Sequence, residues 1–119
     1  MGAYTDLKVW QTSMELVESI YRLTSLFPRE EVYGLTAQMR RAAVSVPSNI
    51  AEGYGREQRG YIIQFLRVAL GSARELETQL MLVVRLKFVA QQDCELASSQ
   101  CYQVGKMRRG LIRSVETEP

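Results

Sequence analysis

The sequence predicts an all-α chain folded as an up-down-up-down four-helix bundle. Three observations predict it. Apolar residues recur at three- and four-residue steps through four long stretches, the spacing of one helix face. No stretch alternates apolar and polar residues as a half-buried strand does. The links between the periodic stretches are short and the whole chain holds only three prolines, which suits helices running antiparallel to their chain neighbours. At 119 residues the chain is expected to be one domain over residues 1–119, large enough for a single core.

The first helix is expected over residues 7–26, capped by Asp6 and ended by Phe27-Pro28, because a residue before proline is driven out of the helical region. Leu7, Trp10, Met14, Val17, Tyr21 and Thr24 form one stripe, assigned to the core. Val9, Leu16, Ile20, Leu23 and Phe27 form a second. The second helix is expected over 33–53, with Leu35, Met39, Ala42, Ala43, Val46 and Ile50 inward and the glycines of "GYGREQRG" ending it. Pro47 lies inside this helix. It cannot donate to the carbonyl of Ala43 and its ring pushes that carbonyl away, so a kink is expected there.

The third helix is expected over 59–87, with Ile62, Phe65, Leu66, Ala69, Ala73, Leu76, Leu80 and Val83 inward and a second apolar line of Tyr61, Val68, Leu82 and Leu86. The fourth is expected over 93–115, with Ala97, Cys101, Val104, Leu111 and Val115 inward and Arg108 towards the core side. A lone bundle buries about one stripe per helix. The second stripes of helices 1 and 3 would leave about ten large apolar side chains wet, beyond the usual patch on a monomer. A homo-oligomer built through helices 1 and 3 is therefore expected.

Composition excludes more function than it suggests. The chain has no histidine, which removes the commonest general base and transition-metal ligand. Its two cysteines, Cys94 and Cys101, fall short of a structural zinc site. Seven residues apart on a helix, they lie about 10 Å apart along the axis, too far for a disulfide. They read as reduced, packed thiols of a cytoplasmic protein. No glycine loop follows a strand, so the phosphate-loop reading of "GYGREQRG" fails its context. Glu75 and Glu77 are two apart on a helix and point to different sides; Glu77 lies near the apolar stripe, where it is buried or at an interface. No catalytic residues, no metal, no cofactor and no small-molecule substrate are expected. There is no apolar run of the ~18–20 residues that span a bilayer and no recognisable signal peptide, so no membrane partner is expected.

Two polar patterns remain. Gln38, Arg41, Ser45, Ser48, Asn49 and Glu52 line the border of the apolar stripe of helix 2. They read as a hydrogen-bond network that fixes helix register, with Arg41 paired to Glu52 or Glu75; a ligand or partner groove is the alternative. The second pattern is basic. Net charge is only +2, but residues 32–113 hold 12 Lys/Arg against 6 Asp/Glu. Arg67, Arg74 and Arg85 share a face of helix 3. Tyr102, Lys106, Arg109 and Arg113 form a stripe on helix 4, and Arg40 adds charge on the outer face of helix 2. Cations for phosphates and a ring for stacking make RNA or DNA a candidate partner; a merely solvated helix face is the plainer reading.

Three segments carry a family resemblance: "DLKVWQTSMELVESIYRLTSLFP" at 6–28, "YGLTAQMRRAAVSVPSNIAEGYGR" at 33–56 and "FLRVALGSARELETQL" at 65–80. Over about residues 6–90 the chain resembles the four-helix-bundle proteins encoded in intervening sequences of bacterial 23S ribosomal RNA genes. The motif falls on Arg40, Arg41, Ser45, Pro47, Ser48, Asn49, Glu52 and Gly53. That family is similar in fold to the accessory variability protein of diversity-generating retroelements, a basic pentameric bundle that binds nucleic acid and a reverse transcriptase. The resemblance implies a four-helix bundle, a homopentamer and no established enzymatic activity. The resulting expectation is a non-enzymatic homo-oligomeric scaffold associated with nucleic acid. The rival is a protein–protein adaptor that touches none.

Overall fold

The computed structural model describes residues 3–117, with residues 108, 109, 114, 116 and 117 described by their backbone alone. Four α-helices make up the fold: α1 (Lys8–Thr24), α2 (Leu35–Gly55), α3 (Arg59–Arg85) and α4 (Glu95–Thr117). Short 3-10 turns precede α1 (Tyr4–Asp6), α2 (Arg29–Glu31) and α4 (Gln91–Cys94). Each helix packs on its chain neighbours and α1 also packs on α4, so the ring of four closes. The molecule measures 50 × 23 × 19 Å. α3, whose 27 residues rise about 40 Å, spans most of that length.

The helix ends follow local chemistry. Asp6 does not cap α1; it closes the preceding turn, and Leu7 stands at the cap position with no side-chain hydrogen bond. Glu31 Oε1 accepts from the Leu35 N–H at 3.1 Å and caps α2 instead. The expected glycine stop of α2 comes two residues late, because Gly53 and Tyr54 are buried against the bundle and packing outweighs helix propensity. At the end of α3, Phe88 N–H bonds Val83 O and Lys87 N–H bonds Val84 O. This is a Schellman closure, and it holds Lys87 at φ 62°.

The buried side chains form two layers along the axis. One gathers Leu16, Ile20, Leu23, Phe27, Met39, Ala43, Leu76, Leu80, Val83, Cys94, Ala97 and Cys101. The other gathers Val9, Val46, Ile50, Tyr54, Ile62, Leu66, Ala69, Ala73, Val104, Ile112 and Val115. Each fully buried Leu, Ile or Val adds about 1.5–3 kcal/mol of driving force. α2 passes between the layers at Ala43–Val46, and the helix continues through buried Pro47.

The inward faces of α2 and α3 are as expected, except that Leu35 and Phe65 are half-buried. On α4, Leu111 is half-buried, while Gln100 and Ile112 join the interior, as does Cys94 in the turn before it. The two stripes of α1 are exchanged. Val9, Leu16, Ile20, Leu23 and Phe27 face the core, whereas Met14 and Tyr21 are exposed and Trp10 and Val17 half-buried. The reason is chemical: the inner stripe is almost wholly aliphatic, while the outer one carries Trp, Met and Tyr, which tolerate a wet edge. Of the outer stripe only Thr24 is buried, and its hydroxyl donates to Ile20 O at 2.7 Å. The second line of α3 does stay outside: Tyr61, Val68, Leu82 and Leu86 are 40–48% exposed.

Candidate nucleic-acid interface

α3 presents different sides to its two neighbours. Towards α2 the contact is close. A Cβ placed on Gly53 would lie 2.9 Å from Phe65 Cβ and 3.3 Å from Ile62 Cα. One side further along, the hydroxyls of Ser45 and Ser72 share a hydrogen bond of 2.8 Å. Ser45 thus faces Ser72 while Gly53 faces Phe65, the reversed order of an antiparallel pair. Towards α4 the contact opens into a depression of about 160 Å³ lined by Leu70, Arg74, Glu77, Cys101, Tyr102 and Gly105. The absent side chain of Gly105 widens it: a Cβ there would sit 3.7 Å from Leu70 Cδ1.

This depression joins the two basic stripes. Arg74 on α3 and Tyr102 on α4 meet in it, and Tyr102 is 63% exposed. Arg67 and Lys106 are exposed one to two turns away on the same helices. Arg67, Arg74, Arg85 and Lys106 have no carboxylate within ion-pair distance among the described residues. Arg113 is exposed on α4. The Arg108 and Arg109 side chains lie outside the described residues. Arg85 stands apart from this cluster, about 16 Å along α3 from Arg74. It borders a second groove, of about 440 Å³, with Leu80, Met81, Val84, Cys94 and Ser98.

Arg40 does not occupy the outer face of α2. Its Nε donates to Thr24 Oγ1 at 2.8 Å and its guanidinium lies 4.5 Å over the Tyr21 ring. The wheel position of Arg40 borders α1, so its long stem reaches that helix rather than solvent. Arg40 therefore acts as a clamp between α1 and α2.

The polar ladder is shorter than its sequence pattern. Asn49 Nδ2 donates to Ser45 O at 2.7 Å and to Ser45 Oγ at 2.8 Å, and Ser72 completes the group from α3. Gln38, Arg41 and Ser48 are exposed. Glu52 takes neither expected role: it pairs at 2.9 Å with Arg56, one turn on along the same helix. Arg56 also lies over the Tyr61 and Phe65 rings. Arg41 and Glu52 stand about 16 Å apart along α2, out of reach of each other, whereas the i,i+4 spacing brings Glu52 beside Arg56. Ser72 escaped the sequence reading because no single-helix pattern marks the opposite member of a cross-helix pair.

Both cysteines are free and buried. Burial pushes the Cys101 thiol up to about 12, with the Glu77 carboxylate adding to the rise. Burial, then Asp93, raises Cys94. No group of three or more metal-ligating side chains is found among the described residues. No helix among them is long and apolar enough to cross a membrane.

The fold and this face define a small helical-bundle protein with a cationic, aromatic-bearing edge along α3 and α4. The chain belongs to the 23S rRNA-intervening sequence protein family, whose profile matches residues 5–110. The fold is similar to a solved structure of a protein with unknown function from the S23 ribosomal protein family of Bacteroides thetaiotaomicron. That likeness has a TM-score of 0.81 at 24% identity, covering 88% of this chain and 98% of the other. The comparison with curated proteins gives no match.

Proposed function

We propose that this chain is a non-enzymatic, homo-oligomeric bundle whose α3–α4 edge binds nucleic acid. The observation that carries the reading is the convergence of Arg74 with exposed Tyr102, flanked by Arg67 and Lys106, with no acid pairing these cations among the described residues. Phosphate binding needs free cations, and each contact releases counterions. The exposed row Tyr61, Val68, Leu82 and Leu86 supports self-association through α3. α1 supports it less, since its aliphatic stripe is spent inside the bundle. The row lies on the side of α3 near α2, so self-association there leaves the α3–α4 edge open and multiplies it. The family resemblance makes a five-fold ring the expected assembly.

Two measurements test this. Light scattering at micromolar concentration is expected to give a multiple of 13.6 kDa, and the Val68→Glu/Leu82→Glu variant a smaller species. A gel-shift titration with structured RNA and duplex DNA is expected to show binding at low salt that falls steeply as salt rises. A monomer, or no shift at low salt, contradicts the proposal. A second reading, an adaptor for a protein partner, has its own support in the 440 Å³ groove and in exposed Met81, which lines it. An oligomer that shifts no nucleic acid selects it.

A further inference from the structure

The α3–α4 depression contains one group that a simple phosphate-binding edge does not need. Glu77 is half-buried and lines it together with the cation Arg74 and the ring of Tyr102. A carboxylate repels phosphate, so its presence there calls for another partner. The rest of the lining is suited to a flat, uncharged group. Leu70 and the buried, protonated Cys101 form an apolar floor, Tyr102 offers a ring face, and Gly105 leaves one side without a side chain.

A nucleobase has the required flatness, and aromatic stacking holds any base without regard to its identity. The carboxylate supplies the choice. An ionised carboxyl only accepts hydrogen bonds, and its two oxygens take a paired set of donors. Guanine presents adjacent N1–H and 2-amino donors on its pairing edge. Adenine and cytosine present one donor group beside an acceptor, and uracil one N–H between two carbonyls. In a duplex this edge is occupied, so only an unpaired base presents it.

We propose that the depression between α3 and α4 seats a single unpaired guanine, stacked on Tyr102 and held by Glu77 through its N1–H and 2-amino groups, with Arg74 on an adjacent phosphate. The proposal rests on the reading of this edge as nucleic-acid-binding and narrows it to single-stranded or looped targets with a guanine at the contacted position.

The test is fluorescence anisotropy with labelled RNA hairpins that differ only in one loop base, guanine, inosine, adenine, cytosine or uracil, beside a fully paired duplex. The guanine loop is expected to bind about tenfold more tightly than the adenine loop, in the range of one bidentate base contact. Inosine, which lacks the 2-amino group, falls between them. Glu77→Gln is expected to abolish the guanine preference while adenine-loop binding is kept or improved, since a negative charge is removed. Tyr102→Ala is expected to weaken every loop, because the stacking face is lost. Tyr102 is exposed and Glu77→Gln is nearly isosteric, and a thermal melt of each variant checks the fold. Equal affinity for all five loops, or a guanine preference that survives Glu77→Gln, overturns this proposal while leaving general nucleic-acid binding standing. No binding of any RNA overturns this proposal, and no binding of DNA either overturns the reading it rests on.

Discussion

α3 has two seams, and they differ in the way that separates folding from binding. The seam with α2 brings backbones together: Gly53 leaves no room for a methyl beside Phe65, and Ser45, Asn49 and Ser72 satisfy one another across it. The seam with α4 is looser, with a gap at Gly105 and charged and aromatic side chains on its rim. Close contact with satisfied polar groups fixes register. A gap lined by Arg74, Glu77 and Tyr102 adds little to packing and leaves those groups free to meet a ligand. Glycine shows the contrast best, because the same residue type serves contact on one side and vacancy on the other.

Substitutions at these two glycines should therefore differ in sign. Gly53→Ala forces a Cβ to 2.9 Å from Phe65 Cβ and close to the α3 backbone. A thermal or urea melt should show a loss of about 2–3 kcal/mol, as overpacking costs. Gly105→Ala meets only ordinary contact at 3.7 Å and removes a helix-interior glycine, so it should gain about 0.5–1 kcal/mol. A loss at both sites, or at neither, would erase the distinction between the seams.

Next in size is alkaline sensitivity on the α4 side. The Cys101 thiol ionises near 9 when unfolded and at about 12 when folded. Between those values the unfolded chain has released a proton that the native chain keeps, so stability falls as pH rises. The slope from this group is about 1.4 kcal/mol per pH unit. The stability of Cys101→Ala, followed by urea melts from pH 8.5 to 10.5, should decline less steeply than that of the parent by about that amount. Parallel slopes would mean that the thiol is not held neutral.

A smaller effect belongs to the α2 side. Ser45→Ala should cost about 1 kcal/mol, the usual worth of one hydrogen bond. The double variant with Ser72→Ala should cost less than the two single losses added, because removing both partners leaves no orphan. Strict additivity would show that the 2.8 Å hydrogen bond contributes nothing. Smallest of all, Lys87→Gly relieves a left-handed residue at the end of α3 and should raise stability by about 1 kcal/mol or less.

The sequence revealed the fold more fully than the site. Four helices, their approximate ends and the inner faces of α2 and α3 follow from three- and four-residue spacing, which reflects a geometry local to each helix. α1 marks where that logic stops. Two apolar stripes of similar length gave no sign of which faced inward, and the bundle selected the aliphatic one. Arg40 illustrates a second boundary. Which helix a long side chain reaches depends on neighbours brought in by the fold. The basic stripes of α3 and α4 were each visible alone. Their meeting at Arg74 and Tyr102, with Glu77 and Gly105 between, depends on the stagger of two helices separated by a turn of a few residues.

The central claim is that the α3–α4 edge, and not basic charge in general, carries nucleic-acid binding. Its most direct test compares two charge reversals of the oligomer on a looped RNA, with affinity measured at several salt concentrations between 50 and 200 mM, roughly the range over which phosphate interactions are screened. Arg74→Glu/Lys106→Glu should weaken binding strongly and reduce the slope of log affinity against log salt by about 1 for each phosphate that is no longer neutralised. Arg41→Glu on the exposed side of α2 should change neither much. Equal losses of affinity from the two variants, or an unchanged salt slope in the first, would contradict the account.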